Sequence, residues 1–200
     1  MSHRASRTAR LVSLLLNPSV LTGGFFLVLI HRYEPAGPHQ WLIGGIAILF
    51  TLLIPIGVLF VFKARGLLSD VEMRDRSERA PVYFACAASY LIGLVLFIAI
   101  KVSWPLMALM ALLVPSALAL AVFNHWWKVS IHTTTLAGLA ALGLAFFGPA
   151  ALLFALVVPL AAWARWAAGA HTVRELTLGV VLGASSAVAA IVVSLAMTGP

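Results

Sequence analysis

"WPLMALMALLVPSALALAVF", Trp104–Phe123, runs for twenty residues without a charged side chain. An α-helix needs about 20 apolar residues to cross the hydrocarbon core of a bilayer. Working outward from it, the chain contains seven apolar segments, at 11–30, 41–62, 82–100, 104–123, 129–147, 150–168 and 176–197. Backbone groups in lipid must be satisfied within the segment, which predicts helices; a barrel would need alternating polarity, and none is present. The predicted fold class is all-α, a polytopic transmembrane helical bundle of six to seven spans, with residues 1–200 forming a single integral membrane domain. Composition agrees: 62% of residues are hydrophobic and 10% charged, against about 25% charged in soluble domains. The single cysteine, Cys86, lies in an apolar run and cannot form an internal disulfide.

The connections at 101–104 and at Gly148-Pro149 are short and predict tight helical hairpins. The first segment is interrupted by Asn17-Pro18 and Gly23-Gly24, which predicts a kinked or re-entrant helix. Its basic leader, "MSHRASRTAR", lacks a following small-x-small cleavage pattern and reads as part of a retained span. One long polar loop, 63–81, separates segments two and three.

Assigning the connections to alternate sides puts all of the 13 Lys and Arg except Arg32 and Lys101 on one side. The positive-inside rule makes that side cytoplasmic. Trp126, Trp127, Trp163 and Trp166 fall at the same boundary, with Trp41 and Trp104 at the other, as interfacial belts do. The net charge of +7 therefore reads as topology and contact with lipid headgroups. No stripe of basic and aromatic residues suggests nucleic acid.

Three polar clusters share the basic side. They are "RDRSERAP" (74–81), "HWWKVSIHT" (125–133) and the Arg165, His171 and Glu175 of "RWAAGAHTVRELTLGVVLG" (165–183). Ionisable groups at a membrane edge are costly and suggest function. His171 and Glu175 stand four apart, so on a helix they share a face. A carboxylate on one ring nitrogen fixes the tautomer and leaves the other lone pair free to attack. Arg165 offers a planar fork for phosphate oxygens. Thr172-x-x-Glu175 is equally a capping box that would start segment seven without chemistry, and the two readings are compatible. Likewise, His132 alone reads as an interfacial histidine, and Arg74, Arg76 and Arg79 alternate with acids as a solvated salt-bridged stretch would.

Taken together, these residues resemble the type 2 phosphatidic acid phosphatase superfamily, which includes lipid phosphate phosphatases, polyprenyl diphosphatases and vanadium haloperoxidases. Arg165-x5-His171-x3-Glu175 matches its closing motif, with Glu for the more frequent Asp. The middle motif, Pro-Ser-Gly-His, reads Val129-Ser130-Ile131-His132. The first, Lys-x6-Arg-Pro, survives as Arg79-Ala80-Pro81, with Glu72 at the lysine position. The likeness covers 74–183, and the hydrophobic hairpin at 82–123 departs from the six-span pattern.

The resemblance implies a membrane phosphatase acting on a lipid phosphate or polyprenyl (di)phosphate, with no cofactor and no metal. His171 would be the nucleophile, Glu175 its orienting acid, and His132 the general acid and base. Arg165 and Arg79 would clamp the phosphate, with Arg74, Arg76 or Lys128 supplying the charge of the missing lysine and Ser130 adding a donor. The expected partners are substrate and membrane lipids. The expected location is a bacterial plasma membrane, with the site on the cytoplasmic side. The alternatives are a lipid phosphotransferase and a non-catalytic lipid-binding or transport protein of the same fold.

Overall fold

A helix that is apolar all round belongs in the middle of a bundle, and Trp104–Phe123 (α6) is there. The computed structural model describes residues 3–70, 73 and 75–198. In it α6 buries residues on every face, among them Leu106, Leu109, Met110, Leu112 and Leu120. Around it lie α1 (His3–Leu15), α2 (Pro18–Tyr33), α3 (Pro38–Ile48), α4 (Ile54–Ala64), α5 (Arg79–Ala99), α7 (Ile131–Phe147), α8 (Leu152–Ala155), α9 (Val157–Ala167) and α10 (Val173–Thr198). No strand occurs among the described residues. Among the described residues, six helical stretches are long and apolar enough to cross a membrane: Arg7–Tyr33, Pro38–Ala64, Arg76–Ala99, Trp104–Phe123, Ile131–Ala155 and Val173–Ala196. The chain is an integral membrane helical bundle.

The local breaks have local causes. Asn17 ends the first helical run because its side chain accepts the Ser19 N–H (2.9 Å) and Pro18 starts α2. The expected interruption of segment one is thus a cap between two helices. A π-turn, Leu49–Leu53, joins α3 to α4 ahead of Pro55, whose ring denies the helix an N–H. Gly66, Lys101 and Gly169 each take positive φ one residue past a helix C-cap. Each closes its helix with the pair of backbone bonds of a Schellman motif.

Two boundaries differ from the sequence reading. The loop after α4 is shorter than 63–81, because a 3₁₀ turn at Arg76–Glu78 and then α5 begin inside it. Asp75 starts that turn by accepting the Ser77 N–H at 2.9 Å. Segment six is no long helix. After Gly148 the chain turns through Gly148–Ala151 into the short α8 and α9, which pack back along α7.

The two ends of the bundle are built differently. At one, the Glu34 carboxylate accepts the Ser103 N–H (2.8 Å) and the Tyr33 hydroxyl donates to the Phe146 carbonyl (3.3 Å). This ties three connections together. The other end gathers the N-terminal turns of α5, α7 and α10 and the C-terminal turn of α9. The register there is set where α7 and α10 meet. A Cβ on Gly179 would overlap Thr133 Oγ1 and the Ser130 carbonyl, and one on Gly183 would overlap the Thr134 carbonyl. The small-xxx-small pair Gly179/Gly183 lets the two backbones touch.

Candidate functional site

The spacing of the closing motif follows from how α9 ends and α10 begins. Arg165 sits in the last turn of α9 and its carbonyl accepts the Ala170 N–H (3.0 Å), while Gly169, at φ +68°, reverses the chain. Two residues later comes His171, and Thr172 starts α10. The Thr172 N–H donates to Glu175 Oε2 (3.0 Å), and the Glu175 N–H reaches Thr172 Oγ1 (3.4 Å). The capping box is therefore real, and it shares its carboxylate with the histidine. His171 lies just ahead of the helix, not on its face. Five intervening residues are what a final turn, a glycine reversal and a cap require.

His171 is buried, and its Nδ1 lies 3.2 Å from Glu175 Oε2 and 3.2 Å from the Lys128 carbonyl. Both partners are acceptors, so Nδ1 carries the hydrogen and the neutral ring keeps its lone pair on Nε2. Burial, followed by the charges of Arg165, Arg79 and Lys128, pushes the imidazole down to about 3. At neutral pH the ring is uncharged.

The surrounding cations come from four elements. Arg79, in the first turn of α5, is 5% exposed. It donates from Nε to the Met73 carbonyl (2.7 Å) and from one terminal nitrogen to Asn124 Oδ1 (3.3 Å) and the Val129 carbonyl (3.4 Å). Together with Arg165, Lys128, Arg10 and Ser13 it lines a cavity of about 410 Å³ with no carboxylate from the described residues in its wall. Ser13, on α1, accepts a hydrogen bond from Arg165 (3.1 Å), and its hydroxyl lies 3.5 Å from His132 Nε2. His132 stands in the first turn of α7, and Ser13 links it to Arg165. Ser130 caps α7 by position but not by side chain. Among the described residues, the buried Ser130 Oγ and His132 Nδ1 have no hydrogen-bond partner. Such groups are rare and costly, at about 1–3 kcal/mol each.

The structure thus brings His171, His132, Glu175, Arg165, Arg79, Lys128 and Ser130 to one end of the bundle. Arg76 is elsewhere: it is exposed, donates to the Trp126 carbonyl (2.9 Å) and lines a separate cleft with Phe84 and His125. Arg74 lies outside the described residues. Arg10 and Ser13 escaped the sequence reading, because only the packing of α1 on α9 carries them to the site. The available signal was the Asn17-Pro18 break, which makes 3–15 a separate helix bearing Arg10 and Ser13 one turn apart. No group of three or more His, Cys, Asp or Glu among the described residues is placed to hold a metal ion.

Fold and site define a class: a polytopic helical membrane protein with a cationic, histidine-bearing cleft at one end. No family model, curated protein or solved structure matches the chain.

Proposed function

We propose that this protein is an integral membrane phosphatase of the type 2 phosphatidic acid phosphatase kind, hydrolysing a lipid phosphate or polyprenyl (di)phosphate through a phosphohistidine. The observation that carries the reading is His171. Its Nδ1–H is held by Glu175 and the Lys128 carbonyl, its ring is neutral, and it stands among Arg165, Arg79 and Lys128. An imidazole so held presents Nε2 as a nucleophile, and the cations favour the charge that spreads over the equatorial oxygens of a phosphoryl group in transfer.

In the proposed reaction, Nε2 of His171 bonds to phosphorus as the phosphorus–oxygen bond to the leaving group breaks. His132 gives a proton to the departing oxygen, which general acid catalysis rewards by about 10²–10⁴-fold. Glu175 stabilises the positive charge that the phosphorylated ring acquires. His132 then takes a proton from water, water attacks phosphorus, the P–N bond breaks and inorganic phosphate leaves. A bound phosphate would also give the unpartnered Ser130 hydroxyl an acceptor. Beside this cleft an apolar crevice of about 100 Å³, walled by Met73, Tyr83, Ile131 and Thr135 among others, runs between the helices. The excess of Lys and Arg at this end supports a cleft on the cytoplasmic side of the plasma membrane.

The test is phosphate release from a short-chain lipid phosphate in detergent with chelator present. We expect vanadate-sensitive release that drops by at least about 10²-fold in His171→Ala and His132→Ala. The exposed Arg65→Ala should retain it. Inside-out vesicles should hydrolyse added substrate and right-side-out vesicles should not. Lipid bound without release would mark a carrier, and label passed to a second lipid a transferase; either would end the hydrolase reading.

A further inference from the structure

α10 packs along α7 and α6, and α9 packs along α1 and α7, so α9 and α10 touch each other only lightly. The seam between them is a groove of apolar surface. Trp163 and Trp166 line it from α9, and Val173, Leu176, Thr177 and Val180 from α10. Leu176, Thr177 and Val180 stand three, four and seven positions after Val173, which makes one stripe of a helix. The Thr177 hydroxyl donates to the Val173 carbonyl (3.0 Å), so its hydrogen is already spent within the helix. No charged side chain among the described residues lines the groove. From Val173 to Val180 the stripe extends about 10 Å, against roughly 15 Å for half of a bilayer's hydrocarbon core.

The groove is open at its polar end. Trp166 and Val173 line it and also line the cleft that holds Lys128, His171 and Glu175. The chemistry therefore changes in one direction along a continuous surface, from ionisable groups at the mouth to hydrocarbon beyond Trp166. The indole at the junction is half exposed, and its apolar body and polar edge suit the boundary of a bilayer. The crevice between α2, α4, α5, α6 and α7 lacks this continuity. Among the described residues it shares no lining residue with that cleft or with the cationic cavity.

Resting on the phosphatase reading, we infer that the groove between α9 and α10 seats the substrate's hydrocarbon tail, which enters sideways from the bilayer and brings the phosphate past Trp166 and Val173 to His171. The tail gains its hold from many small dispersion contacts along the two helices. Trp163, Leu176, Thr177 and Val180 are then specificity residues, which touch the tail and not the phosphoryl group.

The experiment measures kcat/KM for n-alkyl phosphates from butyl to dodecyl, at one detergent concentration, on purified full-length protein. In the wild type kcat/KM should rise with chain length. Thr177→Trp sets a bulky ring in the groove and should lower the dodecyl-to-butyl ratio by about 10-fold, chiefly through KM. Val188→Trp puts the same ring on an exposed residue of α10 outside the groove and should keep the wild-type ratio. A ratio unchanged in Thr177→Trp, or lowered equally by both substitutions, overturns the seat. A binding arm separates that result from failure of the phosphatase reading. Dodecyl phosphate with a photoreactive diazirine in its tail should label the α9 and α10 peptides whether or not phosphate is released, and Thr177→Trp should suppress the label. Unlabelled dodecyl phosphate should displace it and dodecanol should not. Such labelling without phosphate release keeps the seat and removes the hydrolase. Label on the α2 and α5 peptides of the crevice instead, or equal displacement by dodecanol, the mark of ordinary bilayer lipid, overturns the seat.

Discussion

His171 has two opposed electrostatic neighbourhoods. Glu175 and the Lys128 carbonyl hold its Nδ1–H, while burial and three cations disfavour a proton on Nε2. Because the folded value, about 3, lies below the ordinary histidine value of about 6.5, the unfolded state takes up the proton first as pH falls. Stability from this group is whole above about pH 6.5 and is lost as pH drops from there toward 3; at pH 5 the loss is about 2 kcal/mol. A bound oxyanion offsets the charges of Arg165, Arg79 and Lys128, so vanadate should raise the His171 value. Imidazole NMR shifts of labelled protein, titrated with and without vanadate, measure this directly; a value that stays fixed on vanadate binding would place the anion elsewhere. At this scale the sequence was informative where spacing is set by backbone geometry. Arg165, His171 and Glu175 could be read because a helix end, a glycine reversal and a cap fix them locally. Arg79 was singled out by its place before Ala80-Pro81, but whether Arg76 joined it could not be read, since only the fold sends one to the Trp126 carbonyl and the other to Met73, Asn124 and Val129.

Between elements, the decisive contact is α7 on α10. His132 and His171 belong to the N-terminal ends of these helices, and glycine alone permits their approach. Gly183→Ala puts a methyl against the Thr134 carbonyl, a backbone atom that cannot rotate away. Overpacking of this kind costs about 1–3 kcal/mol, and here it also parts the histidines. We expect a lower Tm in detergent together with lost activity. Gly45→Ala in α3 is the contrasting change, since nothing lies within 4 Å of its Cβ, and it should stabilise by up to about 1 kcal/mol through helix propensity. Equal effects of the two substitutions would mean that α7 and α10 are not in backbone contact. The apolar runs gave the helices and nearly their limits, Trp104–Phe123 most closely. The turn at Gly148-Pro149 was legible, but the break of segment six into α8 and α9 at Leu156 was not, because hydrophobicity alone does not register an interruption within an apolar run.

On the scale of the molecule, one end of the bundle is tied shut by Glu34, Tyr33, Ser103 and Phe146. The other collects residues from α1, α5, α7, α9 and α10 around a cationic cavity. Alternation of spans predicted that the three polar clusters share a side, and the structure brings members of all three together. It did not predict the share of α1, whose place depends on packing against α9 and not on any pattern within residues 3–15. An arrangement that draws two histidines, an acid and four cations from so many elements has one chemical consequence if it is a phosphatase site: the phosphoryl group passes through His171. The direct measurement is a rapid quench, in base with denaturant, of protein turning over a substrate labelled in its terminal phosphate. We predict a base-stable, acid-labile label on the peptide containing His171, absent from His171→Gln. Phosphate release with no labelled peptide, or label that persists in His171→Gln, would contradict the account.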